Sequence, residues 1–265
     1  MSRPARLTPS RQPAPGVHRL GDAVVNFYAL EEPDGLVLVD AGLPGHLGQF
    51  DHWLAASGHA REDVRAVPLT HGHPDHTGLA HALQRDGAEI WVHEADAPIL
   101  RRGPRSALRL APSERSPLPY LLRRPAGLGT PLHLARRGAF TARAVREPRT
   151  FDASGPLPGV PGAPRAVPLP GHTPGSTAYL FAERGLLFTG DALVTHDGLT
   201  GRRGPTLVCR GFTHDSEAAF AALDRLEALE AATGAGPLLL LPGHGDPFPD
   251  GPCAAVAQAR RVGRP

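Results

Sequence analysis

Short hydrophobic runs, separated by turns that contain glycine or proline, recur along the chain from Val17 onward. Runs of this length that are rich in aliphatic and aromatic residues are typical of buried strands. In the first half of the chain, the pattern predicts strands at 24–30, 36–40, 66–69 and 89–93. In the second half, it predicts strands at 166–169, 177–182, 186–189 and 238–241.

Helical periodicity is clearest near the C-terminal end of the chain. Phe220, Leu223 and Leu226 recur on one helical face, Asp215 can cap the start of the helix, and Gly234 can end it. The predicted helices are 45–57, 79–85 and 215–233. Because strands and helices alternate in both halves, the pattern predicts a layered α/β or α+β sandwich.

Two segments interrupt this alternation. Residues 1–16 are polar and rich in proline, and we expect them to form a disordered N-terminal tail. Residues 98–149 contain arginine pairs, prolines and irregularly spaced leucines, which predict an inserted helical or loop-rich segment that could form a cap. The remaining chain, 17–265, is long enough to bury a core and is predicted to be one domain.

Composition excludes several classes of site. All 28 basic residues are arginine, so no lysine can form a Schiff base, bind pyridoxal phosphate or serve a Walker-type phosphate loop. The two cysteines, Cys209 and Cys253, are too few for a disulfide framework or a cysteine-rich zinc module. No apolar run approaches the ~20 residues of a membrane helix, and the N-terminus lacks the apolar region of a secretory signal. We therefore expect a cytoplasmic protein with no membrane partner.

Charge is distributed unevenly along the chain. Twelve arginines and two acids lie between residues 97 and 149, giving +10, whereas 16 arginines and 24 acids give the remainder −8. The basic segment could be a cap whose arginines recruit a carboxylate, a phosphate or coenzyme A, or it could be a solvated or acid-pairing surface. We expect a small-molecule substrate, and the sequence leaves open whether that substrate is anionic. Nucleic acid is not favoured, since only Tyr120 and Phe140 could stack on bases in this segment.

Candidate metal ligands are concentrated in the stretch 70–76, THGHPDH, directly after a predicted strand. An H-x-H-x-D-H loop can turn two imidazoles toward one ion, and a carboxylate with an imidazole toward a second ion. Three further ligand-type side chains occupy glycine-containing turns that follow strands, where a rigid scaffold presents functional groups. They are His172, Asp191 and His244.

These motifs, in this order, resemble the metallo-β-lactamase superfamily. The resemblance covers about residues 17–250 and implies an α+β fold, a four-layer αββα sandwich with a two-metal site at one edge of its sheets. An aspartate at position 191 resembles the glyoxalase II and lactonase branches more than true β-lactamases, in which a cysteine is typical there. The matching segments are LVLVDAG at 36–42, in which the strand ends in Asp40, THGHPDH at 70–76, PGHTPGS at 170–176, FTGDAL at 188–193 and PGHG at 242–245.

The resemblance also implies a role for each ligand-type residue. The first metal would be held by His71, His73 and His172, the second by Asp75, His76 and His244, and both by a bridging Asp191. Asp40 is expected to orient a ligand by hydrogen bonding, and His196 is a candidate for the substrate side. Zinc suits this mixture of imidazoles and carboxylates best, with manganese or iron as alternatives.

The function that follows is metal-dependent hydrolysis of an ester, thioester or lactone. A hydroxide bridging the two metals would attack the carbonyl, with Asp75 and Asp191 as the catalytic carboxylates. Two other activities of the superfamily stay open at this point. One is an iron-dependent oxidoreductase similar to the persulfide dioxygenases, and the other is an RNA-processing nuclease.

Overall fold

The computed structural model describes residues 11–233 and 237–265, and in these residues it contains fourteen strands and eight α-helices. The strands are β1 (Arg11–Ala14), β2 (Val17–Gly21), β3 (Asn26–Glu32), β4 (Gly35–Val39), β5 (Val64–Pro68), β6 (Glu89–His93), β7 (Arg149–Phe151), β8 (Gly155–Pro156), β9 (Arg165–Pro168), β10 (Thr177–Phe181), β11 (Leu186–Gly190), β12 (Val194–His196), β13 (Arg203–Thr206) and β14 (Leu239–Pro242). The helices are α1 (Leu47–Ser57), α2 (Ala80–Arg85), α3 (Ala97–Arg102), α4 (Ala107–Leu110), α5 (Leu118–Arg123), α6 (Gly129–Arg136), α7 (Ser216–Thr233) and α8 (Gly251–Val262). None of the helices in the described ranges is both long enough and apolar enough to cross a membrane.

The strands of the described residues form two main sheets and a short ribbon. The first sheet has the order β1-β2-β3-β4-β5-β6-β7, antiparallel from β1 to β4 and parallel from β4 to β7. The second sheet has the order β14-β11-β10-β9-β8, in which β11 and β14 are parallel neighbours. The ribbon is the antiparallel pair β12-β13. Loops at the ends of β5, β9, β11 and β14 are therefore available at the edge where the two sheets meet.

Three groups of buried side chains define four layers. Between the sheets, Tyr28 of β3 packs edge-on against Phe188 of β11 at a ring distance of 5.2 Å. On the outer face of the first sheet, α1 buries Phe50 and α2 buries Leu83. On the outer face of the second sheet, α7 and α8 pack together around buried aliphatic residues such as Leu223. This arrangement confirms the expected αββα sandwich.

Regular secondary structure extends further into the expected N-terminal tail than the sequence predicts. Within the expected tail, Arg11–Ala14 pair with β2 in a hairpin that places Ala14 opposite Val17. The turn is possible because Gly16 adopts φ +62°, a left-handed conformation that glycine tolerates without steric cost. Residues 1–10 of the predicted tail lie outside the described residues.

The predicted helix at 215–233 corresponds to α7. The Asp215 side chain caps it, because Oδ1 accepts hydrogen bonds from the backbone N–H groups of Glu217 and Ala218 at 3.0 and 2.9 Å. Gly234, the predicted end of this helix, lies outside the described residues. The strands β2, β7, β8, β12 and β13 and the helix α8 were not predicted.

The insert segment, residues 98–149, runs from the start of α3 to the start of β7. Of the helical and loop-rich alternatives, the structure shows mainly the short helices α3 to α6. Several contacts tie it to the sandwich. The Tyr120 hydroxyl donates to the carbonyl of Pro265 at 3.2 Å, and the Arg124 guanidinium donates to the carbonyl of Gly198 at 3.0 Å. The insert is therefore attached to the sandwich by hydrogen bonds and forms part of the same domain.

A buried carboxylate joins α6 to the loop between β2 and β3. Oδ2 of Asp22 accepts hydrogen bonds from Nε2 of His46 at 3.0 Å and from Nε2 of His133 at 2.7 Å. Its Oδ1 accepts from the backbone N–H groups of Val24 and Val25 at 2.9 and 3.1 Å. Burial raises the pKa of Asp22, but the hydrogen bonds from His46 and the two amides outweigh it and hold the pKa well below its usual range.

Replacing Asp22 with asparagine keeps the shape but removes this charge. We expect the free energy of unfolding to fall by about 2 kcal/mol at pH 5, because hydrogen bonds to a charged acceptor are lost. Since the pKa of Asp22 is lowered in the folded protein, its carboxylate stabilises the fold above the ordinary carboxyl pKa, and this contribution fades as the pH falls below about 4. Urea denaturation at pH 5 and pH 3.5 should show the difference between wild type and Asp22→Asn narrowing at the lower pH.

The matched control is Asp34→Asn, in the exposed turn between β3 and β4. A surface substitution of this kind changes the free energy of unfolding by less than about 0.5 kcal/mol. Equal stability of the Asp22 and Asp34 variants at pH 5 would show that the Asp22 contacts do not stabilise the insert.

Candidate metal centre

The ligand-type residues predicted from the sequence converge at one edge of the sandwich. Each follows the end of a strand, so rigid sheets fix the starting point of every ligand loop. The first four follow β5, and the other three follow β9, β11 and β14 in turn. They are His71, His73, Asp75, His76, His172, Asp191 and His244.

Three histidines form one half of the site. His71, His73 and His172 each offer a ligand atom within 4.8 Å of the other two. Nδ1 of His73 and Nε2 of His172 are 2.9 Å apart, although these residues are 99 positions apart in the chain. Nδ1 of His71 contacts the Thr70 hydroxyl at 3.1 Å, which leaves its Nε2 available for an ion. The arrangement is typical of a three-histidine metal site.

Asp75, His76 and His244 form the other half, again with ligand atoms within 4.8 Å of one another. Asp191 lies between the two halves. Its Oδ2 is 3.0 Å from Nε2 of His244 and 3.4 Å from Nε2 of His172, and its Oδ1 is 3.5 Å from Nε2 of His76. One carboxylate therefore reaches toward both sets of ligands.

The unpaired atoms of this cluster test whether it suits a cation. Buried polar atoms normally have a hydrogen-bond partner. Within the described residues, those without one include Nε2 of His71, Nε2 of His76 and Oδ1 of Asp191. A bound divalent ion satisfies such atoms, and imidazole and carboxylate are ligands that zinc, manganese and iron accept. The residues present therefore fit a metal centre.

The electrostatics of the cluster favour positive charge near its carboxylates. Burial and the neighbouring histidines hold the pKa of His71 well below its usual range, so its imidazole is neutral and able to bind a metal. Burial also lowers the pKa of His76 and His244, but Asp191 and nearby carboxylates outweigh it and raise them to about 9 and about 10. Burial raises the pKa of Asp191, yet His244 and His76 hold it well below its usual range.

Asp40 supports the second half of the site. Nδ1 of His76 donates to Oδ2 of Asp40 at 2.8 Å, and the backbone N–H of Thr70 donates to Oδ1 at 2.7 Å. This carboxylate therefore fixes both the ring of His76 and the start of the ligand loop. Asp40 adopts φ +64°, a conformation that is uncommon for a residue other than glycine.

Asp96 supports both ligand loops, and the sequence reasoning missed it. Its fully buried carboxylate accepts from the backbone N–H of Gly72 at 2.8 Å and from the Thr173 hydroxyl at 2.7 Å through Oδ2. Oδ1 accepts from the backbone N–H of Gly175 at 2.8 Å. The available signal was an aspartate just before the Ala-Pro that opens α3, which read alone indicates only a helix start.

A cavity of about 240 Å³ opens onto the ligands His73, Asp75, His172, Asp191 and His244. Its other walls include residues of the insert segment, which therefore covers the metal centre. His196, the candidate for the substrate side, is half-buried in this wall, and burial lowers its pKa. A larger depression of about 970 Å³, between the 159–165 loop and α7, contains none of the ligand side chains.

Known proteins share this sequence pattern and fold. Residues 20–244 match the sequence model of the metallo-beta-lactamase superfamily. The uncharacterized protein YobT of Bacillus subtilis is 28% identical over 177 residues, which cover 66% of this chain and 64% of YobT, slightly under two thirds of that protein. The probable metallo-hydrolase YflN of the same organism is 28% identical over 248 residues, 89% of this chain and 86% of YflN. The crystal structure of the metallo-beta-lactamase family protein TTHA1429 from Thermus thermophilus has a TM-score of 0.65 at 24% identity, over 94% of this chain and 78% of that one.

Gly243 leaves no room for a side chain beside the ligands. A Cβ at this position would lie 2.3 Å from Oδ1 of Asp191 and 2.6 Å from Cε1 of His76. We expect Gly243→Ala to displace these side chains and to weaken metal binding at least tenfold, measured by metal analysis after dialysis against graded chelator. The control is Gly48→Ala in α1, where a Cβ has no neighbour within 4 Å and alanine favours the helix. Equal metal retention by both variants would contradict this steric requirement.

Asp96→Asn tests the support of the two ligand loops. Every partner of Asp96 is a donor, so an asparagine amide group must face another donor. We expect the free energy of unfolding to fall by about 2 kcal/mol and metal affinity to fall about 10- to 100-fold. Asp152→Asn, at an exposed position after β7, is the control and should match wild type in both measurements. Unchanged metal affinity in Asp96→Asn would show that Asp96 stabilises the fold without positioning the ligands.

Proposed function

The chain belongs to the metallo-β-lactamase superfamily, and we propose that it is a metal-dependent enzyme of the metallo-hydrolase type that hydrolyses an ester, thioester or lactone bond in a small molecule. The observation that carries this proposal is the place of Asp191, whose carboxylate lies between two ligand sets beside a cavity. Two ligand sets that share one carboxylate suit two divalent ions, and the cavity provides space for a substrate beside them.

The proposed ligand assignment follows the two halves of the cluster, with Asp191 shared. The first ion would take the three-histidine set and the second the set that contains Asp75. When bound, two such ions would lower the pKa of a coordinated water to about 7 and polarise a carbonyl oxygen. We propose zinc as the metal because nitrogen and carboxylate ligands suit it, with manganese or iron as alternatives.

The protein side chains would position the reaction and move its proton. Asp75 lies at the boundary between the ligand cluster and the cavity, with Oδ2 3.5 Å from Nε2 of His244. Its carboxylate can accept the proton of the attacking water and return it to the leaving oxygen or sulfur as the bond to the carbonyl carbon breaks. Nδ1 of His244 donates to the carbonyl of Val24, which fixes the ring and directs its other nitrogen inward.

Metal content and substrate choice test this proposal together. We expect purified protein reconstituted with zinc to hold two equivalents per chain and to hydrolyse members of a panel of simple esters, thioesters and lactones. His73→Ala removes a ligand of the first set, so we expect it to lose one equivalent and to lower kcat/KM by at least about 100-fold. His52→Ala, at an exposed position on α1, should retain both properties.

Three outcomes would count against the proposal, and two of them need additional assays of oxygen consumption and RNA cleavage. Well under one metal equivalent together with chelator-resistant activity would exclude a metal-dependent reaction. A single iron per chain with oxygen consumption on glutathione persulfide would favour the oxidoreductase. Cleavage of RNA with no turnover of carbonyl substrates would favour the nuclease.

A further inference from the structure

The cavity beside the metal ligands has a largely apolar wall, in which the polar side chains apart from the ligands are those of Ser113, Thr130, His196 and Asp197. The insert segment contributes Leu134 and Phe140 to this wall, and the loop after β13 contributes Val208 and Phe212. Leu108, also from the insert, lies in the wall and is 68% exposed, which places apolar surface toward solvent as well. A substrate group in this cavity would therefore contact mainly carbon atoms beside the metal ligands.

The arginines of the insert segment do not contribute to this wall. No arginine lines the cavity in the part of the chain that the structure describes, although twelve lie between residues 97 and 149. Ten of the twelve are exposed. The other two brace the sandwich, since Arg124 donates to the carbonyl of Gly198 and Arg137 lies 3.6 Å from the carboxylate of Asp22. The arginine side chains of the insert therefore lie outside the cavity wall.

The one carboxylate in the wall apart from the metal ligands is already paired among the described residues. Oδ1 of Asp197 accepts from the backbone N–H groups of Leu199 and Thr200 at 2.9 and 3.0 Å, and Oδ2 accepts from that of Cys209 at 2.6 Å. Asp197 therefore shapes its own loop. It offers no free charge to bind an ammonium or guanidinium group of a substrate.

We infer that this cavity binds an uncharged apolar group attached to the scissile bond, an inference that rests on the proposed hydrolysis. An apolar group gains free energy when it leaves water for such a wall. A carboxylate or phosphate held against this wall, away from the metal ligands, would lose its hydration without gaining an arginine as a partner. Of the two interpretations of the basic segment, the geometry favours a cap that recognises its substrate by apolar contact.

The volume of the cavity indicates how large a part of this group it can enclose. Its volume is about 240 Å³. At about 30 Å³ for each water-sized group, such a cavity holds roughly eight non-hydrogen atoms. This corresponds to a straight chain of roughly six to eight carbons or to a phenyl group with a short linker.

Two ester series test the inference on metal-loaded enzyme, followed by acid release at constant pH. The first series consists of methyl esters of straight-chain acids, and the second of acetate esters of straight-chain alcohols, so that each side of the bond is varied alone. We expect kcat/KM to rise about threefold per added methylene in at least one series, up to roughly six carbons. Monomethyl adipate, with a terminal carboxylate, should react at least tenfold more slowly than methyl hexanoate. Flat profiles in both series, or faster reaction of the adipate, would overturn the inference.

Variants of Leu134 separate a change in cavity shape from a general loss of activity. Leu134→Ala enlarges the cavity and should move the optimum to longer chains, whereas Leu134→Trp should move it to shorter ones. Leu132→Ala is the matched control, since Leu132 lies on the same helix, is 44% exposed and does not line the cavity. A defect in folding lowers the rate for all chain lengths alike and leaves the profile unchanged. Identical profiles in all three variants would contradict a role for this wall.

Binding of unreactive amides distinguishes failure of the inference from failure of the proposed function. We expect calorimetric titration of metal-loaded protein to show hexanamide binding at least tenfold more tightly than acetamide, with a negative heat-capacity change. This result without hydrolysis of any ester, thioester or lactone would contradict the proposed function and support the apolar cavity. Hydrolysis that is independent of chain length, with equal affinity for both amides, would support the function and overturn the inference.

Discussion

The buried carboxylate of Asp191 is the constraint on which the rest of the site depends. A charged group with 5% exposure is destabilising unless opposite charges or donors surround it. Here it is surrounded by imidazoles from three different ligand loops, at distances of 3.0 to 3.5 Å. The three loops must therefore be held at fixed positions relative to one another, and the sandwich fixes those positions.

The two sheets are joined close to the ligands by hydrogen bonds between their strand ends. The backbone N–H of Thr177 donates to the carbonyl of Thr70 at 2.8 Å, and the Tyr179 hydroxyl donates to the carbonyl of Leu69 at 2.7 Å. On the other side, the backbone N–H of Asn26 donates to the carbonyl of Gly243 at 2.8 Å. These contacts cross between the sheets, so the ligand loops of both sheets share one rigid frame. Such preorganisation is what a metal centre needs from its scaffold.

The sequence was sufficient to predict the sandwich and to identify the ligand-type residues that converge at its edge. Hydrophobic runs long enough to fill the core identified β3 to β6, β9 to β11 and β14, and the motif at 70–76 indicated which loop carries the ligands. The strands of the ribbon and the helices of the insert are short, so their formation depends on contacts with distant segments. Asp96 was missed for the same reason, since its partner Gly175 lies 79 residues away. The local pattern of hydrophobic residues predicts which segments are buried, whereas hydrogen bonds between distant loops produce no periodic pattern in the sequence.

The insert segment is continuous in the chain and enters between β6 and β7, whereas every ligand-type residue of the metal cluster lies outside it. The ligand-type residues and the part of the cavity wall that the insert contributes are thus encoded in separate stretches of sequence. A gene that exchanged this one stretch for another would keep the metal ligands, the strand ends that hold them and most of the core. Because β6 and β7 are neighbouring strands, the two ends of the insert lie close together on the sandwich. Replacement of this single segment could therefore change the cavity wall without changing the ligand-type residues.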